Sequence, residues 1–238
     1  MKKLVNPFVY DKVINQGLAT PTITDYITPT YAQCYEDIII ESILRSWMRS
    51  HNEDINTYSV VEIGGNHPVS CSSSYYLEEK YGMGGFIVEA NPKLAKVLTE
   101  TRKGMNVLNC AVHNGPETEL TFYINSLNEV SSLSKEFADS WTGQNGAIVE
   151  AVPVKTRRIN DILNLSRPPI ALLSIDVEGI DYEILSDVDF ILHRPVIVQV
   201  EPSDGFKPGT SKRMIDFMKR ANYTLVAETD VNLIFLAN

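Results

Sequence analysis

Cysteine is scarce. Cys34, Cys71 and Cys110 are odd in number and widely spaced, which excludes a disulfide framework, and without a C-x-x-C pair they offer no zinc knuckle. A reducing, cytoplasmic setting is the expectation. Positive charge is short too: 21 Lys and Arg stand against 30 Asp and Glu, a net charge of −9. A surface that tracks phosphates draws on excess positive charge, so a nucleic-acid partner is not expected. Long hydrophobic runs are missing. Ile38–Ile40 and Val196–Val200 fall far short of the ~18 residues of a membrane helix, so no bilayer span is expected. Asn6 and Pro7 interrupt what would be the apolar part of a secretory signal after Lys2 and Lys3, and no export signal is read. What is present is ordinary globular usage, 44% hydrophobic and 21% charged over 238 residues. Such a chain folds by burial, as one large domain or one domain with an N-terminal extension.

Residues 15–31 are rich in Thr and Pro without a sustained period and read as an extended arm, a lid or an oligomer contact. From Glu36 onward Ile40, Ile43, Leu44, Trp47 and Met48 recur at three- and four-residue steps, the mark of a helix with one buried face. Strands and helices then alternate. Tyr58–Ile63 reads as a first strand, followed by a helix over 72–81 that ends at Gly82. Gly85–Glu89 is the second strand, with Asn91 as N-cap and Pro92 at the first helical position of the next helix. Runs 106–112, 170–176 and 196–201 read as strands three to five, continuously apolar as in a parallel sheet covered on both faces. An insertion at about 115–158 carries strand-like 120–124 and 151–155 around an irregular polar segment 126–146. A helix through Met214, Phe217 and Met218 precedes a terminal antiparallel hairpin. The expectation is an α/β, doubly wound, mostly parallel sheet, with residues 1–55 as arm and helix packed on a domain spanning 56–238.

Ligands of such sheets bind beyond the carboxyl ends of the strands. Strand one ends in Glu62-Ile63-Gly64-Gly65-Asn66-His67-Pro68, where the glycines permit a sharp turn and a close ligand approach. The dinucleotide fingerprint needs glycines at 64, 66 and 69, but Asn66 and Val69 stand there and Pro68 delays the helix. NAD is therefore disfavoured. Glu62, able only to accept hydrogen bonds when ionised, suits a ligand bearing an amino group or a cation, such as S-adenosylmethionine. Glu89 ends strand two, 25 positions after Gly64, where an acid can accept both hydroxyl protons of a ribose. Asn109, Cys110 and Ala111 end strand three as candidate flanks for an adenine. Strand four ends in Asp176-Val177-Glu178-Gly179-Ile180-Asp181 and strand five in Glu201-Pro202. Crowded carboxylates raise one another's pKa or recruit a cation, so Asp176 and Glu178 are candidates for a general base. With Glu201 they are also the candidate ligands of a divalent ion such as Mg²⁺.

The motifs Tyr31-Ala32-Gln33-Cys34-Tyr35-Glu36-Asp37, Glu62 to Pro68, Gly82 to Pro92, Asn109 to Val112, and Asp176-Val177-Glu178-Gly179 followed by Tyr182-Glu183-Ile184-Leu185 together resemble the FkbM-type methyltransferases. Those are class I S-adenosylmethionine-dependent enzymes that mostly O-methylate hydroxyls of sugars or natural products. Where that family opens its cofactor turn with Asp-x-Gly-Ala-Asn, this chain has Glu62 and Gly65. The resemblance implies that Glu62, Gly64 and Glu89 contact the cofactor and that Asp176 and Glu178 face the methyl group. Gly65, Asn66, Ala90 and Asn91 flank the same turns and join the cofactor set, and Gln33, Glu36 and Asp37 would face the cofactor from the first helix.

Ser131 and Ser132 resemble a serine-rich position of the family that lines the acceptor pocket, although loop composition explains them nearly as well. Glu201 would sit beside the acceptor. His67 is a candidate base or substrate ligand, set against an equally good structural hydrogen bond. Asp181 and Glu183 are expected on a solvated helix face. Lys155, Arg157 and Arg158 fit an ion-paired surface better than an anion site. The expected partner is a small-molecule or glycan hydroxyl acceptor, with self-association through the N-terminal arm open. A short Rossmann oxidoreductase and a catalytically silent adenosine-nucleoside binding module are the alternatives.

Overall fold

A computed structural model describes residues 2–5, 27–166 and 169–238. Strand β1 (Lys2–Val5) pairs antiparallel with β2 (Ile27–Thr30), and the Thr/Pro-rich arm up to residue 26 lies outside the described residues. Helix α1 (Glu36–His51) buries Ile40, Leu44 and Met48 at the four-residue steps of one face. It stops at Asn52, whose left-handed φ of 56° turns the chain out of the helix.

The alternation then follows: β3 (Ser59–Ile63), α2 (Tyr75–Tyr81), β4 (Gly85–Glu89), α3 (Pro92–Thr101) and β5 (Met105–Asn109). Asn91 caps α3 by accepting the Lys93 N–H at 3.0 Å, and Gly82 takes a left-handed φ of 63° after α2. The expected third strand does not run on through Val112. It breaks at Cys110, and β6 (Ala111–Val112) leaves for a second sheet. That smaller sheet has the order β6-β8-β7, with β7 (Glu119–Asn125) antiparallel to β8 (Ile148–Arg157). The segment 126–146, expected to be irregular, contains helix α4 (Lys135–Ser140), which starts where Ser134 Oγ accepts the Phe137 N–H at 3.2 Å. Polar composition hid this helix because its two buried residues, Phe137 and Ala138, are too few to show a period. The remaining elements are α5 (Ile159–Leu163), β9 (Ile170–Ile175), α6 (Asp181–Asp187), β10 (Ile197–Val200), α7 (Thr210–Arg220), β11 (Tyr223–Glu228) and β12 (Leu233–Ala237).

The main sheet has the order β11-β12-β10-β9-β3-β4-β5. The pairs from β10 through β5 are parallel, and β12 runs antiparallel to both of its neighbours. Both faces are covered. On one, Val60, Leu172 and Ile197 pack with Ile40 and Leu44 of α1, Leu77 of α2 and Leu98 of α3. On the other, Val61, Leu173 and Val198 pack with residues of α5, α6 and α7. Leu172 is fully buried at the middle of the sheet, and trimming it to Ala should cost about 2–5 kcal/mol.

The α1 face changes character over one pleat. Val60, Leu172 and Ile197 are in register across three strands; two residues further along, at the same pleat phase, Glu62, Ser174 and Gln199 are in register instead. An apolar floor thus gives way to polar side chains at the carboxyl ends of the strands.

Candidate active site

Around those strand ends lies a cavity of about 1110 Å³, counting its open mouth. Its wall joins the β3 turn, the ends of β4, β9 and β10, the start of α1 and part of the insertion. Gln33, Glu36, Glu62, Gly64, Gly65, Asn66, Glu89, Ala90, Asn91, Cys110, Ala111, Ser131, Asp176 and Glu178 all line it. The carboxylates Glu36, Glu62, Glu89, Glu129, Asp176 and Glu178 face it, and no Lys, Arg or His does among the described residues.

Glu89 is buried, and its two oxygens accept backbone N–H groups on either side: Asn66 at 2.8 Å and Asn91 at 2.6 Å. Burial pushes this carboxyl above its ordinary range while those donors pull it back. The β3 turn and the start of α3 are thereby tied to one side chain. Asn109 does not enter the cavity; its exposed side chain donates to the carbonyl oxygens of Glu89 at 2.9 Å and Ala90 at 3.2 Å, pinning the end of β4. Cys110 does line the cavity, and burial raises its thiol, which makes it a wall rather than a nucleophile.

The glycines of the β3 turn line the cavity and make the sharp turn expected of them, and packing requires them as well. A Cβ on Gly64, whose φ is 91°, would lie 1.7 Å from the Asp176 carbonyl oxygen, and one on Gly65 would lie 2.4 Å from Ile87. Packing alone therefore demands both glycines, whatever a ligand requires. Glu62, read as a free acceptor, is already engaged: Ser74 Oγ donates to it at 2.7 Å and Ser72 Oγ at 3.1 Å, and Arg102 lies 3.8 Å away. Arg102 is itself fully buried. Its guanidinium pairs with Glu78, donates to the Pro68 carbonyl at 3.1 Å and to Ser72 and Ser74 at 3.2 and 2.9 Å, and stacks on Tyr75. A basic residue at a helix end gives no sign in sequence that it is the anchor of a loop 30 residues away.

His67 does not reach the cavity. It is exposed, and its Nδ1 accepts the N–H groups of Val69 and Ser70 at 3.1 and 2.8 Å, so the structural alternative holds. Asp37 also stays out. It is fully buried and accepts from Thr30 Oγ1 and the N–H of Tyr31, both at 2.7 Å, tying β2 to α1. Glu36 does face the cavity, accepting from Thr229 Oγ1 at 2.7 Å and Asn232 Nδ2 at 3.4 Å.

Ser131 and Ser132 part company. Ser131 lines the cavity; Ser132 is buried outside its wall and donates to the Glu178 carbonyl at 2.6 Å, fastening the insertion to the strand-four loop. Asp181 also departs from its expected place. Expected on a solvated face, it is buried and accepts the N–H groups of Val177 at 2.7 Å and Gly179 at 2.9 Å, so it shapes the Asp176–Gly179 bend. Arg158 pairs with Asp187 at 2.8 Å on the surface, as its composition suggested.

The acids at the ends of β9 and β10 form one group. Asp176, Glu178 and Glu201 can each place an oxygen within 4.8 Å of the others, although Glu201 is not among the residues lining the cavity. Burial and then the Glu201 charge hold Asp176 well above the ordinary carboxylate range. Burial and the Asp176 charge do the same for Glu178. Asp181 is pushed up to about 7 by burial and by Glu201, against its two backbone donors. Near neutral pH this cluster therefore holds protons that isolated carboxyls would have released.

Residues 62–225 match the methyltransferase FkbM domain. The chain belongs to that family. The match covers the β3 turn, both Glu89 and Asp176, and the insertion, while the Gln33 to Asp37 motif precedes it. No curated protein and no solved structure matches this FkbM methyltransferase. Sequence reasoning missed Ser174, Gln199 and Asn232, all of which line the cavity of the methyltransferase. The first two had a signal: a polar residue inside Ala171–Ile175 and Ile197–Val200 breaks an apolar run bound for the sheet centre. Phe122, Asn128, Glu129 and Leu133, which with Ser131 make up the insertion's share of the wall, had none.

Proposed function

We propose that this methyltransferase uses S-adenosylmethionine in a class I fold and O-methylates a hydroxyl of a sugar, glycan or natural product. The observation that carries the proposal is Glu89: a buried strand-end carboxylate, lining the cavity and held by backbone N–H groups rather than by a basic side chain. An ionised carboxylate offers about four acceptor positions. Asn66 and Asn91 donate to one oxygen each, the N–H groups of Gly65 and Ala90 also turn toward the carboxylate, and the acceptor capacity that faces the cavity would take the two hydroxyls of a ribose. Ala90, Leu94, Cys110 and Ala111 supply a mixed apolar wall beside it that suits a purine. The acids at the opposite end suit a positively charged ligand terminus, so the residues present fit this cofactor.

When bound, S-adenosylmethionine supplies an electrophilic methyl group that needs no further activation. The chain's contribution is then orientation, exclusion of water and proton removal. Well-aligned reactants reach effective molarities of about 10⁵ M and above. Asp176 and Glu178 have a place in the cavity wall and raised pKa values, so that in the ionised, ion-free form either is a stronger base than an ordinary carboxylate and suited to take the acceptor's proton, which adds about 10²-fold or more. A cytoplasmic setting is part of the same reading, from the odd number and wide spacing of Cys34, Cys71 and Cys110. Titrating the protein calorimetrically with S-adenosylhomocysteine and with NADH tests the cofactor. One site for the first and none for the second is expected; the opposite result would favour the oxidoreductase alternative. Screening methyl transfer onto nucleotide sugars and free glycans then tests the acceptor.

A further inference from the structure

We propose that Asp176, Glu178 and Glu201 form a binding site for a divalent cation of the Mg²⁺ or Mn²⁺ type at the ends of β9 and β10. Oxygens sharing one such ion lie about 3–5 Å apart, because metal–oxygen distances are about 2.0–2.6 Å. One oxygen from each of the three carboxylates lies within 4.8 Å of the others. The register makes this possible. Val200 pairs with Ile175, so the residues that follow them, Glu201 and Asp176, leave adjacent parallel strands side by side. Glu178 is added by the bend that Asp181 holds with two backbone hydrogen bonds.

A second observation, independent of the acids, points the same way. Gln199 is 3% exposed, lines the cavity, and its Oε1 has no hydrogen-bond donor. Asn232 is 7% exposed and lines the cavity too; its Nδ2 donates to Glu36, which leaves Oδ1 turned elsewhere and likewise without a donor. Asp176 Oδ1 is inaccessible and unpartnered as well. A buried oxygen without a donor costs about 1–3 kcal/mol, more when charged. Gln199 and Ser174 are in register two residues before Glu201 and Asp176, so the orphaned Gln199 Oε1 and Asp176 Oδ1 belong to the same pair of strand ends, and a hard cation would relieve them. The protein's own cations do not do it. Among the described residues, none of Asp176, Glu178 and Glu201 is ion-paired with a Lys, Arg or His. The nearby buried Arg102 is committed to Glu78 and the serines.

The site's existence stands apart from the methyl-transfer proposal; only its role rests on that proposal. An ion here would offset the carboxylates facing the cavity and so admit acceptors that carry phosphate or other anionic groups, which those acids would otherwise repel.

The test is Mn²⁺ titration of the full chain, without cofactor or acceptor, followed by electron paramagnetic resonance. One saturable site is expected, displaced by Mg²⁺. It should weaken at least tenfold in Glu201→Gln and in Asp176→Asn, and stay unchanged in Glu89→Gln. Circular dichroism reports whether each variant folds, and Glu178→Gln, on the cavity bend, replaces Asp176→Asn if that variant does not. Absence of saturable Mn²⁺ binding to the wild type up to millimolar concentration would overturn the site. So would binding that is unchanged in folded Glu201→Gln and in Asp176→Asn or its replacement. S-adenosylhomocysteine titrated in EDTA keeps the two ideas apart: its failure to bind would sink the cofactor proposal and leave the ion site standing, and the reverse pattern would do the opposite.

Discussion

The two ends of the cavity handle buried acid in opposite ways. At the end of β4, Glu89 has a backbone donor on each oxygen. At the ends of β9 and β10, Asp176 has an oxygen with no donor and two further acids beside it. On the proposed reading the first end is a receptor already in its working shape, its carboxylate held by backbone N–H groups of its own chain. The second is unsatisfied and must be completed from outside, by a proton, a cation or a ligand. Preorganisation suits binding; a group still seeking a partner suits chemistry.

Removing an acid from each end in turn should break this contrast. Glu89→Ala should weaken S-adenosylhomocysteine by about 10²-fold or more, since each hydrogen bond to a charged group contributes about 1.5–3 kcal/mol; calorimetry reads the loss directly. Glu178→Ala should leave that affinity within a few-fold and lower turnover by about 10²-fold or more. Equal effects of both substitutions on both quantities would erase the distinction between the two ends.

The framework that supports the receptor end is testable through Arg102. Replacing this fully buried guanidinium with Met leaves Glu78 and the Ser72–Ser74 loop without their common partner, and breaking a buried pair costs about 3–5 kcal/mol. Urea denaturation should show that loss, with a smaller fall in cofactor affinity because Glu62 shifts with its serines. Arg102→Lys should restore part of the charge and little of the hydrogen bonding.

The unsatisfied end predicts a pH effect. Asp181, with a folded pKa of about 7, and the raised carboxyls of Asp176 and Glu178 hold protons that the unfolded chain releases at an ordinary carboxylate pKa of about 4. For Asp181 that stabilisation is present in full below that value and is lost as the pH rises through about 7, and the raised carboxyls of Asp176 and Glu178 act in the same direction. Thermal midpoints should therefore fall between pH 5 and 8 in EDTA, and Glu201→Gln should flatten the fall by removing one of the repelling charges. The smallest effect belongs to His67, which holds two backbone N–H groups outside the cavity: His67→Ala should leave turnover within about twofold and its pH profile unchanged.

Much of the fold was legible because the centre of the sheet is written as uninterrupted apolar runs. Gly85–Glu89 needed no adjustment, and Gly82, Asn91 and Pro92 punctuate their helices as local chemistry requires. The strand-end acids were legible for the same reason, since a carboxylate that follows a buried strand has few places to go. Long-range engagements of side chains were not legible. Glu62 looked free because Arg102 is 40 positions away in sequence. Gly64 looked like a ligand's requirement because nothing local announces the Asp176 carbonyl against it. Asp181 looked solvated because dipole arguments for a helix start do not say that the preceding bend folds back over it.

A structure of the complex with S-adenosylhomocysteine tests the central claim most directly. The nucleoside is expected in the cavity, with both ribose hydroxyls donating to Glu89 and the sulfur turned toward Asp176. A nucleoside bound elsewhere, with Glu89 touching only its own backbone donors, would contradict it.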